Sequence, residues 1–184
     1  AGWTGRLSNS SNTITLKGSG NVTDGASGFV SASNLLLLGG NVTLDSASNA
    51  IGTLAASGVG SLTYIDSNAL TLGANTTLTG NGINLANTVN SAPNTNVSLT
   101  IADSGATTLG GAIGGSRALS SLLVGSANGT TISGGAVTTT GTQTFSNAVT
   151  LGQNATLTGN GITLGSTVNG AKALTIVDSG ATTL

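Results

Sequence analysis

The strongest constraint on this chain is that it repeats itself. Residues 72–90 read LGANTTLTGNGINLANTVN and residues 151–169 read LGQNATLTGNGITLGSTVN, so TLTGNGI occurs at Thr77 to Ile83 and again at Thr156 to Ile162. Beyond them, SAPNTNVSLTIADSGATTL (91–109) is answered by GAKALTIVDSGATTL (170–184), with four extra residues around Pro93 in the first copy. The long repeat thus covers 71–109 and 150–184, and an insertion that leaves both flanks intact marks a surface loop near 91–96. A module this short cannot bury its own apolar face, so repetition calls for stacking one module on the next.

Within the modules the residues are those of strands and turns. Thr13 to Leu16, Asn41 to Leu44, Ser61 to Ile65, Ala155 to Thr158 and Ala173 to Val177 read as short strands, several with one face apolar, as Leu174 and Ile176 are. Asn-Gly, Asp-Gly and Ser-Gly pairs punctuate them, and no window carries a capped helical stripe. Asp24, Asp45 and Asp66 are evenly spaced along the chain, and Asp103 and Asp178 recur in ADSG and VDSG. An Asp ending an apolar run caps a tight bend through nearby backbone amides, so these residues are expected at corners recurring once per coil.

Composition limits what such strands can enclose. The chain has no Cys, His or Met, its aromatic residues are Trp3, Phe29, Tyr64 and Phe145, and Pro93 is its sole proline. The expected core is therefore thin, built from Leu, Val, Ile and Ala. Four basic residues, Arg6, Lys17, Arg117 and Lys172, are scattered singly among five acidic ones, which excludes a row of phosphate contacts and argues against nucleic acid as a partner. The longest apolar run, Leu35 to Leu38, is far short of the roughly 20 residues of a membrane helix, so no membrane span is expected. The opening residues lack a charged, then apolar, leader, so any signal peptide is expected to have been removed or to lie outside this sequence. Absence of Cys suits a chain that crosses an oxidising compartment unfolded.

Two all-β architectures suit these segments. Asn-Gly turns suit the hairpins of tandem immunoglobulin-like sandwiches, but a sandwich wants a thick interior with a large buried aromatic and has no place for the regular step of the Asp series. A parallel β-solenoid of about 20–25 residues per coil needs a thin aliphatic core and small corner residues. The expected fold is a single solenoid over residues 1–184, of roughly eight or nine coils and on the order of 40 Å long. TLTGNGI then reads as one corner of the rod, recurring because stacked coils need the same corner again.

GTQTFSNAVTLGQNATLTGNGITLGSTVNGAKALTIVDSGATTL (141–184) and LLLLGGNVTLDSASNAIGTL (35–54) resemble the shaft repeats of filamentous-haemagglutinin-like adhesins of Gram-negative bacteria. These are exported by two-partner secretion or as autotransporter-like proteins. The resemblance implies a right-handed parallel β-helix, secretion to the cell surface through an outer-membrane partner, and a role in attachment, aggregation or biofilm. The family's secretion module carries an Asn-Pro-Asn-Gly type motif, whereas proline here stands in Ala92-Pro93-Asn94, so the chain resembles shaft. The partners so implied are further repeats or copies joined end to end, and host or neighbouring-cell glycans or proteins.

Each group that suggests chemistry has a structural reading beside it. Gly80-Asn81-Gly82 and Gly159-Asn160-Gly161 imitate a phosphate loop, but strands follow where such a loop needs a helix, so turn punctuation is favoured. The Asp24, Asp45 and Asp66 series suggests calcium, yet the GGxGxDxU repeat is absent, and no metal or other cofactor is expected. Asp103 with Arg117 is the pairing on which a carbohydrate-active β-helix enzyme would draw, but without Glu, His or aromatic sugar platforms no catalysis is expected. Sequons at Asn9, Asn21, Asn41, Asn75, Asn96, Asn128 and Asn154 are candidate glycosylation sites in a chain where Asn and Thr already abound. Thr-x-Thr pairs such as Thr77/Thr79 and Thr156/Thr158 suggest ice binding, but they do not recur every coil. The expected function is a structural and adhesive one, as a shaft or filament subunit without a catalytic residue.

Overall fold

The computed structural model describes residues 5–25, 28–44, 46, 49–57, 61–64, 69–73 and 75–184. Among them there is no helix, and the strands pair in parallel throughout. Parallel neighbours cannot be joined by tight hairpins, so the sandwich alternative falls and the chain is a β-solenoid of about 7 turns.

Three walls are visited in a fixed order. The first holds Leu70–Leu72, Val89–Ser91, Ala136–Thr138, Ala155–Gly159 and Leu174–Asp178. The second holds Thr76–Gly80, Ser98–Asp103, Ser121–Ser126, Gln143–Phe145 and Ile162–Leu164, stacked as one sheet. The third is an eight-stranded sheet from Val22–Thr23 to Val168–Asn169. Towards the N-terminal end, Gly5–Lys17, Gly28–Leu38 and Ala50–Ser57 run as single long strands beside the third wall, and the last of them packs against both Leu70–Leu72 and Thr76–Gly80. Seven steps between eight rungs give the third wall a length of about 34 Å.

Coil length varies more than a constant step allows. The third wall's rungs match at Val22, Val42, Leu62, Ile83, Thr107, Thr130, Val149 and Val168, so the step is longest from Ile83 to Thr107 and shortest from Thr130 onward. The two longest coils carry excursions, Ala92 to Asn96 and Gly114 to Ala118, that lie one above the other: the Ser91 amide donates to Arg117 O at 3.2 Å and the Ser91 hydroxyl to Ala118 O at 2.8 Å. Pro93, Asn94, Thr95 and Asn96 are exposed.

The core is a set of columns running along the axis. In the second wall the partners are Leu78, Ile101, Val124, Phe145 and Leu164, each at most 2% exposed. Each such side chain contributes about 1.5–3 kcal/mol by leaving water, and the parallel ladder places it on the like residue of the next coil. Beside this column runs Thr76, Leu99, Leu122, Gln143 and Ile162, so an amide side chain replaces an aliphatic one in mid-core.

The two TLTGNGI copies do not stack on each other. Thr77 lies in the second wall, where its column continues through Thr100, Leu123, Thr144 and Thr163, whereas Thr156 lies in the first wall between Ala136 and Thr175. The chain from Thr77 to Thr156 makes three turns and then passes two further walls rather than completing a whole number of turns, so the second copy is turned onto a different edge of the prism. The expectation of one stacked corner is thereby corrected. Both copies still bury Leu78 or Leu157 and set Ile83 or Ile162 into the following wall at 0% exposure, because all three walls offer a similar inward surface.

Candidate functional site

The repeated corner is built from two successive coils. In the lower coil Gly80, Asn81 and Gly82 turn the chain from the second wall into the third; Gly82 has φ +90° and its counterpart Gly161 φ +94°, a region in which L side chains are strained. In the coil above, Asp103 ends its strand opposite Gly80. Its Oδ1 accepts from the Gly82 amide at 2.8 Å and the Gly105 amide at 2.9 Å, and its Oδ2 accepts from the Ile83 amide at 2.8 Å and the Thr107 hydroxyl at 2.8 Å. Ser104 adds its hydroxyl and its amide to Gly80 O at 3.0 and 2.8 Å.

Asp178 repeats this in the second copy. Oδ1 accepts from Gly161 N (2.7 Å) and Gly180 N (2.9 Å), Oδ2 from Ile162 N (3.0 Å) and Thr182 Oγ1 (2.8 Å), and the Ser179 amide and hydroxyl donate to Gly159 O at 3.0 and 3.2 Å. The chain is longer from Gly82 to Asp103 than from Gly161 to Asp178, so the same clamp closes with and without the insertion around Pro93. Gly105 and Gly180 are required by close approach: a Cβ on either would lie 2.5–2.6 Å from the amide nitrogen and the Asn side-chain oxygen of the turn beneath.

Electrostatics follow from the donors. Burial pushes the Asp103 carboxyl up, but the Gly105, Gly82 and Ile83 amides and the Thr107 hydroxyl outweigh it and hold the group below its ordinary 3.8. At Asp178 the Gly161 amide is the largest influence; burial opposes it, and the Gly180 amide, Thr182 hydroxyl and Ile162 amide help carry the group down to about 2. A carboxylate has about four acceptor positions, and all of them are filled at each corner. A further proton or cation at either carboxylate would have to displace one of these donors. Arg117 is exposed, and its backbone amide donates to Asn90 Oδ1 at 3.2 Å. Among the described residues no three acidic side chains converge on a cation position.

The other acidic positions divide. Asp24 is fully buried and its Oδ2 accepts from Ser46 N at 3.2 Å and Asn49 Nδ2 at 3.0 Å, while Asn49 Oδ1 accepts from Val30 N at 2.8 Å. It ties its coil to the one above, where Asp103 reaches to the one below. Asp45 and Asp66 lie outside the described residues.

The sequons are corner and surface positions. Asn75 Oδ1 accepts from Ser98 N at 2.9 Å and Asn154 Oδ1 from Ala173 N at 3.0 Å, so this pair also brackets one coil to the next. Asn41 Nδ2 donates to Asn21 Oδ1 at 3.3 Å one coil below, Asn96 Nδ2 donates to Thr140 Oγ1 at 2.9 Å, Asn128 is exposed, and Asn9 is partly buried beside Ala32.

Several residues that hold the site were not singled out by sequence reasoning. Thr107 occupies an inward position of the third wall, between Ile83 and Thr130, at 0% exposure. Its hydroxyl also accepts from Ser126 Oγ at 2.6 Å, and Thr130 Oγ1 donates to Ser126 at 3.4 Å, so a polar thread runs up from Asp103 inside the wall. A usable signal was the Thr that follows Asp at the same place in both DSGAT segments. Gln143 gave no such signal: its Nε2 donates to Val137 O at 3.2 Å and Thr158 O at 2.6 Å, and its Oε1 is buried without a partner.

The fold and its clamped corners define the class, a three-walled parallel β-solenoid of repeated modules. No family model, no curated protein and no solved structure matches the chain.

Proposed function

We propose that this chain is a stiff shaft segment of a secreted, cell-surface adhesive protein of the filamentous-haemagglutinin type, holding a binding region away from the cell. The observation that carries the reading is the coil-to-coil carboxylate clamp at Asp103 and Asp178, which joins to the continuous parallel ladder a second set of bonds between successive coils. Bending or peeling the rod must break both together. Its outer positions suit a spacer: the central column of the third wall carries Thr23, Thr43, Asn84, Thr108, Thr131, Thr150 and Asn169, without a charge among them. On this reading its partners are more repeats of the same kind or copies end to end, an outer-membrane secretion partner, and surface glycans or proteins of other cells through weak multivalent contact. No catalytic step is assigned to it.

The test places the chain between an outer-membrane anchor and a tip domain of known receptor on a Gram-negative cell, and compares it with a Gly/Ser linker of equal residue number. The shaft should keep receptor-coated beads bound under flow where the flexible linker loses them. Equal retention by both would refute the role. Negative-stain images of the purified chain separate a short rod from a self-assembled filament.

The same Thr and Asn column favours ice binding as a second reading. A single outward column per short strand gives one row of hydroxyls where a lattice match needs more than one, and thermal hysteresis of the purified chain decides it.

A further inference from the structure

Four Asn-Gly pairs punctuate the chain, at Asn81, Asn128, Asn160 and Asn169. Such pairs lose ammonia readily, because glycine has no Cβ to shield its nitrogen. Hydroxide removes the glycine N–H proton and the nitrogen attacks the asparagine Cγ. A new N–C bond closes a succinimide as the Cγ–Nδ2 bond breaks, and the departing nitrogen takes a proton from water to leave as ammonia, which restores the hydroxide. A second water then opens the ring to aspartate or isoaspartate.

At two of the four the attacking nitrogen is held by a carboxylate. Gly82 N lies 2.8 Å from Asp103 Oδ1 and Gly161 N lies 2.7 Å from Asp178 Oδ1. To react, that nitrogen must become an anion beside a full negative charge and then leave its hydrogen-bond partner. At this separation like charges alone disfavour the anion by about tenfold, even in water. At Asn128 the corresponding nitrogen, Gly129 N, donates at 3.0 Å to the neutral carbonyl of Ser126, and Asn128 is exposed.

We propose that Asp103 and Asp178 chemically protect the Asn-Gly corners beneath them, so that Asn81 and Asn160 persist while Asn128 is a site of spontaneous deamidation. The protection has a structural consequence. Aspartate or isoaspartate at 81 or 160 would bring a second negative charge to the turn whose amides the clamp holds, and isoaspartate would lengthen that turn by one backbone atom.

The experiment incubates the full chain at mildly alkaline pH and follows each site by peptide mapping with mass spectrometry. In the folded wild type, Asn128 should convert at least about tenfold faster than Asn81 and Asn160, and in urea the three rates should converge. Asp178→Asn, which keeps one acceptor oxygen and removes the charge, should speed Asn160 by about tenfold and leave Asn81 unchanged. Thr182→Val takes one donor from the carboxylate but leaves it on Gly161, and should keep Asn160 slow. Equal rates at the three sites in the folded chain would overturn the proposal. So would an Asp178→Asn effect that reaches Asn81 equally, or one that Thr182→Val reproduces, since either means that loosening rather than charge sets the rate.

Discussion

Replacing Asp103 by Ala isolates what the clamp contributes to stability. Four donors lose their acceptor: the Gly82, Gly105 and Ile83 amides and the Thr107 hydroxyl. They are not equal. Gly82 is partly accessible, and Thr107 lies 2.6 Å from Ser126, which can take its proton instead. Ile83 and Gly105 are buried, and their amides depend on the carboxylate. Each unsatisfied buried donor costs about 1–3 kcal/mol, so the loss is about 2–6 kcal/mol before water enters the vacated space and about 3 kcal/mol after it does. Guanidinium denaturation followed by far-ultraviolet circular dichroism measures the total, and amide hydrogen exchange locates it. The Ile83 and Gly82 amides should exchange faster by roughly two orders of magnitude, since about 1.4 kcal/mol is tenfold, while Ile162, under its own clamp, should not change. A loss below about 1 kcal/mol, or equal acceleration at Ile162, would refute the claim that the carboxylate holds the corner beneath it.

Acid should act on the same contacts. Both clamp carboxyls sit below their ordinary 3.8 in the folded chain, so their contribution is fully present above about pH 4 and is lost as pH falls through the folded values, near 2 for Asp178; the denaturation midpoint should be level at neutral pH and decline below about 4. Gly105→Ala should destabilise by about 1–3 kcal/mol, because its Cβ would come within 2.6 Å of Gly82 N and Asn81 Oδ1, whereas Gly20→Ala, with open space around it, should cost less than about 1 kcal/mol on the same denaturation assay. Phe145→Ala empties the largest fully buried side chain among the described residues and should cost about 3–5 kcal/mol in the same titration.

What could be read from the sequence was local. The alternation of Leu174, Thr175, Ile176 and Val177 sets one face of a strand inward, and the structure buries Leu174 and Ile176 more than their neighbours. The Asp of ADSG and VDSG was legible as a cap on its own bend, and its bond to the Gly105 or Gly180 amide just beyond it is that cap. The paired repeats, lack of helix signals and thin aliphatic composition favoured a parallel solenoid over tandem sandwiches, and the parallel pairing of the strands decided between them.

The tertiary structure alone decided how coils meet. That Asp103 also reaches Gly82 and Ile83 depends on which residue of the coil below lies under it, and the excursion at 92–96 takes up the extra residues so that Asp103 meets its turn as Asp178 does without them. Sequence determined the corner as a local device, because turn geometry and capping act within a few residues. Its place on one edge of the prism in the first copy and a different edge in the second was decided by the accumulated length of every coil between them, a sum that no single stretch of sequence contains.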